Sequence, residues 1–448
     1  MVHWHGHRLL SSSEVSLDKF EVIIVGAGLA GLSAAYTLAQ NGIEAVVVER
    51  GDYPGAKNVT GGRLYLNPVK KFLPDLWPAL TEEKALERPI AVELLTMMAR
   101  ESSTTLRFRA EEFARPPYHS FTVLRGVLDR WLAKKAEEKG AMLVTKNRVD
   151  ELIRENGKVI GVVAGGEELG AEAVIAADGV LSLVAEKAGL RTPGLPHDYA
   201  VGFKEMIELP SRRIEERFAL KENEGAANLF LGSLTKGRFG GGFLYTNRSS
   251  ISLGLVLRIQ DLMDVHPLQE APRFLDDFKA RPEIAPLIAG GETVEYSAHV
   301  LPEAGFAGLI RPFADGLLIA GDAAGFSLNV GLTVRGMEFA MASGVLAART
   351  FMQAREKKDF SASSLSIYQR FLQESFVGQD FKTFQHAPRF LENPRLFDHY
   401  PQVIGEILQN LFYIGTDPKQ RLYATVKGKV GWGEAWSVLK DLRRGSKI

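Results

Sequence analysis

The stretch VIIVGAGLAGLSAAYTLAQ, residues 22–40, constrains the fold more than any other part of this chain. Val22 to Val25 is a short β-branched run that stops at Gly26. Gly26, Gly28 and Gly31 have the spacing G-x-G-x-x-G. Glycine at these positions permits a tight turn, close backbone approach to a pyrophosphate, and close helix–strand packing. Ala34, Ala35, Leu38 and Ala39 then recur at helical spacing, so a helix follows whose free N–H groups face the turn. A second β-run, Ala45 to Val48, ends in Glu49, placed to accept hydrogen bonds from a ribose diol. A plain structural turn needs only the glycines. Here strand, helix, second strand and terminal acid are all present, which favours a dinucleotide site. The motif alone does not separate NAD from FAD.

Two later strand ends decide between them. In ADGLLIAGDAAGFSLNVGLTVRGMEFAMASG, 314–344, a strand from Leu317 to Ala320 is expected, then Gly321-Asp322, a Gly-rich loop, and a helix from about Thr333. A carboxylate at a strand tip can accept a hydrogen bond from a sugar-alcohol hydroxyl. The following helix directs its positive end at the negative charge a reduced flavin carries. The alternative is an ordinary turn with a capping Asp. VIAADGVLS, 174–182, is a strand ending in Asp178-Gly179, and Arg125 stands at a strand-to-helix junction in SFTVLRGVLDRWLAKKAEEKGA. An NAD-only Rossmann unit needs just the first motif, whereas a long, extended FAD is met several times by a returning chain. The nucleotide is therefore read as FAD.

Composition excludes several classes. A chain of 448 residues can bury a large core and is expected to form two or three domains. With 54 basic and 54 acidic residues, no broad field favours nucleic acid. MVHWHGHRLLSSSEVSLDK lacks the apolar segment of a secretory signal, and no apolar stretch is long enough to span a bilayer, so a soluble or peripheral protein is expected. There is no cysteine, which excludes disulfides, thiol catalysis and a Cys-ligated iron–sulfur cluster on this chain. HWHGH carries alternate histidines that could ligate a metal, but a terminal tail is the simpler reading and no metal site is assigned.

Three textures follow one another. Residues 19 to about 190 alternate strand and helix signals; about 195 to 300 is β-rich, with GGGFLYTN and ISLGLVLRI followed by a short helical stretch. From about 353 the pattern is helical, with breaks expected at Pro388, Pro394 and Pro401.

Longer blocks carry a family resemblance. ERGDYPGAKNVTGGRLY (49–65), GGGFLYTN (240–247), PLIAGGETVEYSAHVLPEAG (286–305) and GDAAGFSLNVGLTVRGMEFA (321–340) resemble the FixC family of flavoprotein subunits. That family is similar to electron-transfer flavoprotein:quinone oxidoreductase, and the broader fold is similar to the p-hydroxybenzoate hydroxylase class. The resemblance implies an α/β, Rossmann-type FAD-binding domain, an α+β second domain with a β-sheet for quinone or substrate, and a C-terminal helical segment. The implied boundaries are 19–80, 119–192 and 300–352 for FAD, 81–118 and 193–299 for the β-rich domain, and 353–448 for the helices.

The resemblance also implies roles. Gly26, Gly28 and Gly31 cradle the pyrophosphate, and Glu49 and Arg50 hold the adenosine ribose. Lys57, Asn58, Thr60, Gly61 and Gly62 lie near the flavin ring. Arg125, Asp178, Gly321 and Asp322 contact the cofactor, and Gly331, Leu332 and Thr333 face the pyrimidine end. Gly241, Gly242 and Tyr245 line the quinone side, although a sheet residue with a satisfied hydroxyl reads equally well for Tyr245. FAD is expected without a covalent link, since there is no cysteine and no histidine in an attachment motif. Electrons are expected to come from a two-subunit electron-transfer flavoprotein and pass to a quinone, menaquinone or ubiquinone. Single-chain relatives carry a [4Fe–4S] cluster in a ferredoxin-like region. Its absence here implies a small separate ferredoxin-like iron–sulfur subunit, and such systems suggest electron bifurcation. The open alternatives are a geranylgeranyl-reductase-like enzyme and an FAD-dependent aromatic hydroxylase.

A lipid-soluble quinone implies peripheral contact with the inner face of the cell membrane. Three stretches are candidates: FLPDLWPAL (72–80), FARPPYHSF (113–121), and the tail KGKVGWGEAWSVLKDLRRGSK with Trp432 and Trp436. Core packing or a subunit interface is the plainer reading of each.

Overall fold

The computed structural model describes residues 19–58 and 62–416, with 418, 419, 421, 437, 438, 440, 441, 443 and 445. The His-rich start, Thr60, Gly61 and most of the tail, including both of its tryptophans, lie outside the described residues.

The first β-branched run forms the strand Lys19–Val25, in which Val22, Ile23 and Ile24 are fully buried. Unbroken apolar runs of this kind suit parallel strands covered on both faces. Ala45–Val48 pairs with it in parallel on one side and Glu167–Ala176 on the other. Met142–Val144 and Leu317–Ile319 extend the parallel set outward. Numbered along the chain, these five strands lie in the order 3-2-1-4-5. The order reverses between Lys19–Val25 and Glu167–Ala176, and a crevice opens beyond their carboxyl ends, where doubly wound sheets bind ligands.

Two helices cover one face, Leu29–Gln40 and the long Met337–Lys357. Their backbones approach closely: a Cβ on Gly344 would lie 2.1 Å from the Ala30 carbonyl oxygen, so only glycine fits there. The long helix has Glu338 in its first turn and Arg355 and Lys357 in its last, matching its dipole.

The second sheet has seven strands in the order Glu292–Pro302, Tyr199–Glu208, Ser250–Arg258, Gly240–Thr246, Gly225–Gly232, Ile90–Met98, Ser103–Arg109. All neighbours are antiparallel except Gly225–Gly232 with Ile90–Met98. Alternation gives the sheet two characters. One face packs Phe203, Leu244, Leu253 and Leu255 against Phe274 and Phe278 of the helix Ala271–Lys279. The other face turns Phe243 and Tyr245, stacked at 5.3 Å, toward the cavity described below.

Several expectations are corrected. The helix expected from Thr333 begins at Met337, because Val334–Arg335 first pairs with Leu328–Asn329 as a small hairpin. The breaks expected at Pro388, Pro394 and Pro401 fall one to three residues earlier, and each proline lies in the first turn of the next helical segment, Ala387–Leu391, Pro394–Leu396 and His399–Phe412. The missing proline N–H has no intrahelical partner in a first turn anyway. The stretch 72–80 turns its large aliphatic and Phe side chains inward: Phe72, Leu73, Leu76 and Leu80 are buried, and Lys70 lies 3.8 Å over the partly buried Trp77 ring. In 113–121, Phe121 is buried and Phe113 stacks 3.9 Å from the His119 ring. Among the described residues no helix is long and apolar enough to cross a membrane.

Candidate functional site

A single cavity of about 980 Å³ runs from the carboxyl ends of the parallel strands to the inner face of the second sheet. That volume is at the top of the range for small-molecule sites.

Its first half is built by the glycine turn. Gly26 has φ +100°, and a Cβ there would lie 2.5 Å from the Ala177 carbonyl oxygen. Gly31 is equally constrained, since its Cβ would meet the Gly26 carbonyl oxygen at 2.0 Å. Gly28 differs: φ is −84°, and a Cβ would meet nothing within 4 Å. Gly26 and Gly31 therefore shape the turn, while Gly28 keeps space open in front of it. The helix behind has no side-chain cap at Gly28 and no acidic residue in its first turn. Its orphan N–H groups, at Leu29 and Ala30 on the cavity wall, suit an anionic ligand.

Glu49 is buried and accepts hydrogen bonds from the Ala27 N–H (2.8 Å) and the Gly51 N–H (2.6 Å). One bond to each carboxylate oxygen orients the group and leaves lone pairs for a diol. Arg50, Asn147 and Arg148 complete this end.

The strand-tip acids are not equivalent. Asp178 accepts from Ser182 Oγ (2.6 Å) and the Val184 N–H (3.1 Å), so its carboxylate organises the following loop although the residue lines the cavity. The Asp322 carboxylate accepts no hydrogen bond from the described residues, although its backbone carbonyl accepts from the Gly325 N–H at 3.0 Å. Burial pushes its carboxyl up to about 6, against the pull of Arg125 and Arg191. Arg125 is itself held by Asp129 through Nε (2.8 Å) and Nη2 (2.9 Å), and Asn58 Nδ2 donates to the same carboxylate at 2.6 Å. The carboxylate lines the cavity rather than being sealed from it, so a ligand hydroxyl can supply the donor that the protein does not.

The second half is apolar. Leu95, Leu229, Leu231, Phe243 and Val256 come from the sheet, Phe239 from the turn that precedes Gly240–Thr246, and Phe390, Leu391, Leu396 and Phe397 from the C-terminal helical region. Tyr245 faces this space, and burial raises its hydroxyl pKa. Beside it Arg63 forms a bidentate pair with Glu93, and His119 Nε2 lies 2.9 Å from the same guanidinium.

The cavity thus gathers Gly26, Gly28, Glu49, Arg50, Lys57, Asn58, Gly62, Arg125, Asp178, Gly321, Asp322, Gly331 and Leu332 with Gly241, Gly242 and Tyr245. Gly31 stands behind the turn, and Thr333 is absent from the wall, its carbonyl accepting from the Val330 N–H within the loop. Sequence reasoning did not single out Arg63, Arg258, His299, Glu303 or Asn329. Burial, with Arg125 and Arg50 nearby, lowers the His299 pKa. His299 and Glu303 stand inside the block 286–305, but no spacing rule distinguishes them from their neighbours.

A doubly wound sheet with an open glycine turn, an uncapped helix N-terminus and an unmet strand-tip acid accommodates an extended dinucleotide. A family profile described as FAD dependent oxidoreductase matches residues 21–191, and the protein is an FAD-dependent oxidoreductase. A second profile, the ETF-QO/FixC family C-terminal domain, matches 387–448, where ETF-QO denotes electron-transfer flavoprotein:quinone oxidoreductase. The chain is 44% identical over 432 residues to the probable electron transfer flavoprotein-quinone oxidoreductase YdiS of Escherichia coli K12, covering 96% of this chain and 99% of the relative. It is 47% identical over 406 residues to the protein FixC of the same strain, covering 90% and 93%. The chain belongs to the ETF-QO/FixC family. A geranylgeranyl bacteriochlorophyll reductase-like structure from Thermoplasma acidophilum overlays with a TM-score of 0.70 at 21% identity, covering 95% and 99%, a likeness of fold alone.

Proposed function

We propose that this protein takes electrons from a two-subunit electron-transfer flavoprotein and passes them to a membrane quinone through FAD held without a covalent link. The observation that carries the reading is the division of one cavity into a polar, anion-receiving half and an apolar, aromatic half. Part of the apolar wall, Phe390 to Phe397, falls in the region matching the ETF-QO/FixC C-terminal domain. The name of the relative YdiS points to the same donor and acceptor.

Bound FAD would supply the ability to accept electrons and release them singly or in pairs. The chain's residues then divide the work. Gly28 and the uncapped helix receive the pyrophosphate. Glu49 and Arg50 hold the adenosine ribose. Asp322 accepts from the ribityl chain, with Arg125 beside it. Lys57, Asn58 and Gly62 stand near the ring, and Gly331 and Leu332 near its pyrimidine end. Gly241, Gly242 and Tyr245 border the acceptor. The division into 19–80, 119–192 and 300–352 for FAD, 81–118 and 193–299 for the acceptor sheet, and the C-terminal helices from 353, belongs to the same reading.

With no cysteine on the chain, an iron–sulfur cluster in such a system comes from a separate ferredoxin-like subunit. In a bifurcating system this chain would serve the quinone branch. Phe412, Tyr413 and Ile414 are 80%, 72% and 75% exposed, the most exposed large apolar run among the described residues, and support peripheral membrane contact.

The donor is the point to test. FAD-loaded protein is mixed anaerobically with reduced electron-transfer flavoprotein from the same organism, and separately with NADH and NADPH. Rapid flavin reduction by the flavoprotein alone is expected. Direct reduction by NADPH, with no response to the flavoprotein, would return the hydroxylase or isoprenoid-reductase reading.

A further inference from the structure

The quinone reading needs a proton as well as electrons, and the cavity contains a group placed to deliver it. Glu303 follows the strand Glu292–Pro302, is half-buried and lines the cavity. Its backbone N–H donates to the Asp198 carbonyl at 2.8 Å, which fixes the main chain. Asn329 Nδ2 donates to Glu303 Oε1 at 2.8 Å, and Asn329 Oδ1 accepts from the Gly331 N–H at 2.9 Å. The carboxyl is thus tied through one amide to the glycine loop expected at the pyrimidine end of the flavin.

Apolar and aromatic side chains line the same cavity. Phe239 and Phe397 meet at 5.7 Å, and a Cβ on Gly331 would lie 3.0 Å from Leu391 Cδ2. Arg258 lies over the Phe239 ring at 4.9 Å and is paired with Asp261 (2.9 Å) and Glu392 (3.1 Å). The groups acting on the Glu303 carboxyl are Asn329, which donates to it, and Arg258 with its two carboxylates; His299 lines the same cavity, and the Asp198 carbonyl takes only the backbone N–H. Burial pushes the Glu303 carboxyl up to about 7, against the hydrogen bond from Asn329 and the charge of Arg258. It is therefore a group that can hold a proton at neutral pH and release it.

We propose that Glu303 donates the second proton of quinone reduction. This rests on the quinone reading above. Two electrons and one proton come from the anionic reduced flavin, and the other proton from Glu303. The Glu303 O–H bond breaks as a quinone O–H bond forms, leaving oxidised flavin, quinol and a Glu303 carboxylate. The negative charge ends beside Arg258, and solvent protons restore the acid.

Glu303→Gln keeps the oxygen that accepts from Asn329 and removes the transferable proton; Glu303→Asp keeps the acid at shorter reach. The FAD-loaded proteins are reduced anaerobically and mixed with a short-chain quinone, or with ferricenium, which takes an electron and no proton. E303Q is expected to slow reoxidation by quinone on the order of 100-fold, with ferricenium unaffected and E303D between. The native quinone rate should fall as pH rises through about 7, and the E303Q rate should not follow that fall. An infrared titration gives a readout independent of turnover. The native protein should lose a protonated-carboxyl carbonyl band near pH 7 that E303Q lacks, distinct from that of Asp322. Native quinone rates and pH dependence in E303Q would overturn the proton assignment alone. Native protein inert toward every quinone would overturn the quinone reading, and this proposal with it.

Discussion

Gly28→Val is expected to give a folded, colourless protein. A Cβ at Gly28 enters open space, with no protein atom within 4 Å, and φ is ordinary. The folding penalty is confined to a changed helix N-cap, at most about 1 kcal/mol. The branched side chain instead occupies the volume through which a pyrophosphate must approach the backbone. A loss of affinity of at least about 100-fold, roughly 2.8 kcal/mol, is expected. Circular dichroism and the melting temperature of the apoprotein should stay close to native while FAD content falls to near zero. Gly26→Val and Gly31→Val make the contrast, because their side chains would strike backbone oxygens at 2.5 and 2.0 Å and should damage the fold itself. A yellow, fully loaded Gly28→Val protein would show that the phosphates lie elsewhere.

Asp322 is expected to trade stability for cofactor binding. Removing a charged acceptor should weaken FAD by about 1.5–3 kcal/mol, roughly 10- to 150-fold. The carboxylate is the accepting form, so binding by the native protein should tighten as pH rises through about 6 and then level off. The stability effect has the opposite sign. A carboxyl whose folded pKa is raised contributes stability below its unfolded pKa and loses it as pH rises through the folded value. At pH 8 the Asp322→Asn apoprotein should therefore be at least as resistant to urea as the native apoprotein, while binding FAD less tightly. Calorimetric titration with FAD from pH 5 to 8, beside urea melts of both apoproteins, gives the two signs. Equal FAD affinity in the variant would show that the carboxylate points at nothing the cofactor offers.

These two positions also show what a sequence makes legible. A glycine that must be glycine records a backbone requirement in its residue type, so the turn at Gly26, Gly28 and Gly31 could be read directly, with the strand Lys19–Val25 and helix Leu29–Gln40 around it. The spacing could not reveal that Gly28 alone faces open space. The hairpin of Leu328–Asn329 with Val334–Arg335 escaped notice because two-residue strands have no periodicity, and the helix start was placed too early. Asp178 and Asp322 both follow strands, yet a serine four residues on takes the first carboxylate and nothing takes the second. The stretch 72–80 looked like a membrane surface from its mixture of Trp, Lys and apolar residues, but Phe72, Leu73, Leu76 and Leu80 all turn inward. Glu303, Asn329 and Arg258 are brought together by the sheet and the glycine loop, and pairing across such distances leaves no local pattern.

Electron delivery to a quinone can be measured without any partner protein. The FAD-loaded protein is reduced anaerobically to completion, freed of reductant, and mixed with a short-chain quinone while flavin absorbance and quinol are followed together. Full return of the oxidised flavin spectrum is expected, with one quinol formed per flavin. A flavin that stays reduced in excess quinone, yet reoxidises at once with oxygen or an isoprenoid double bond, would contradict it.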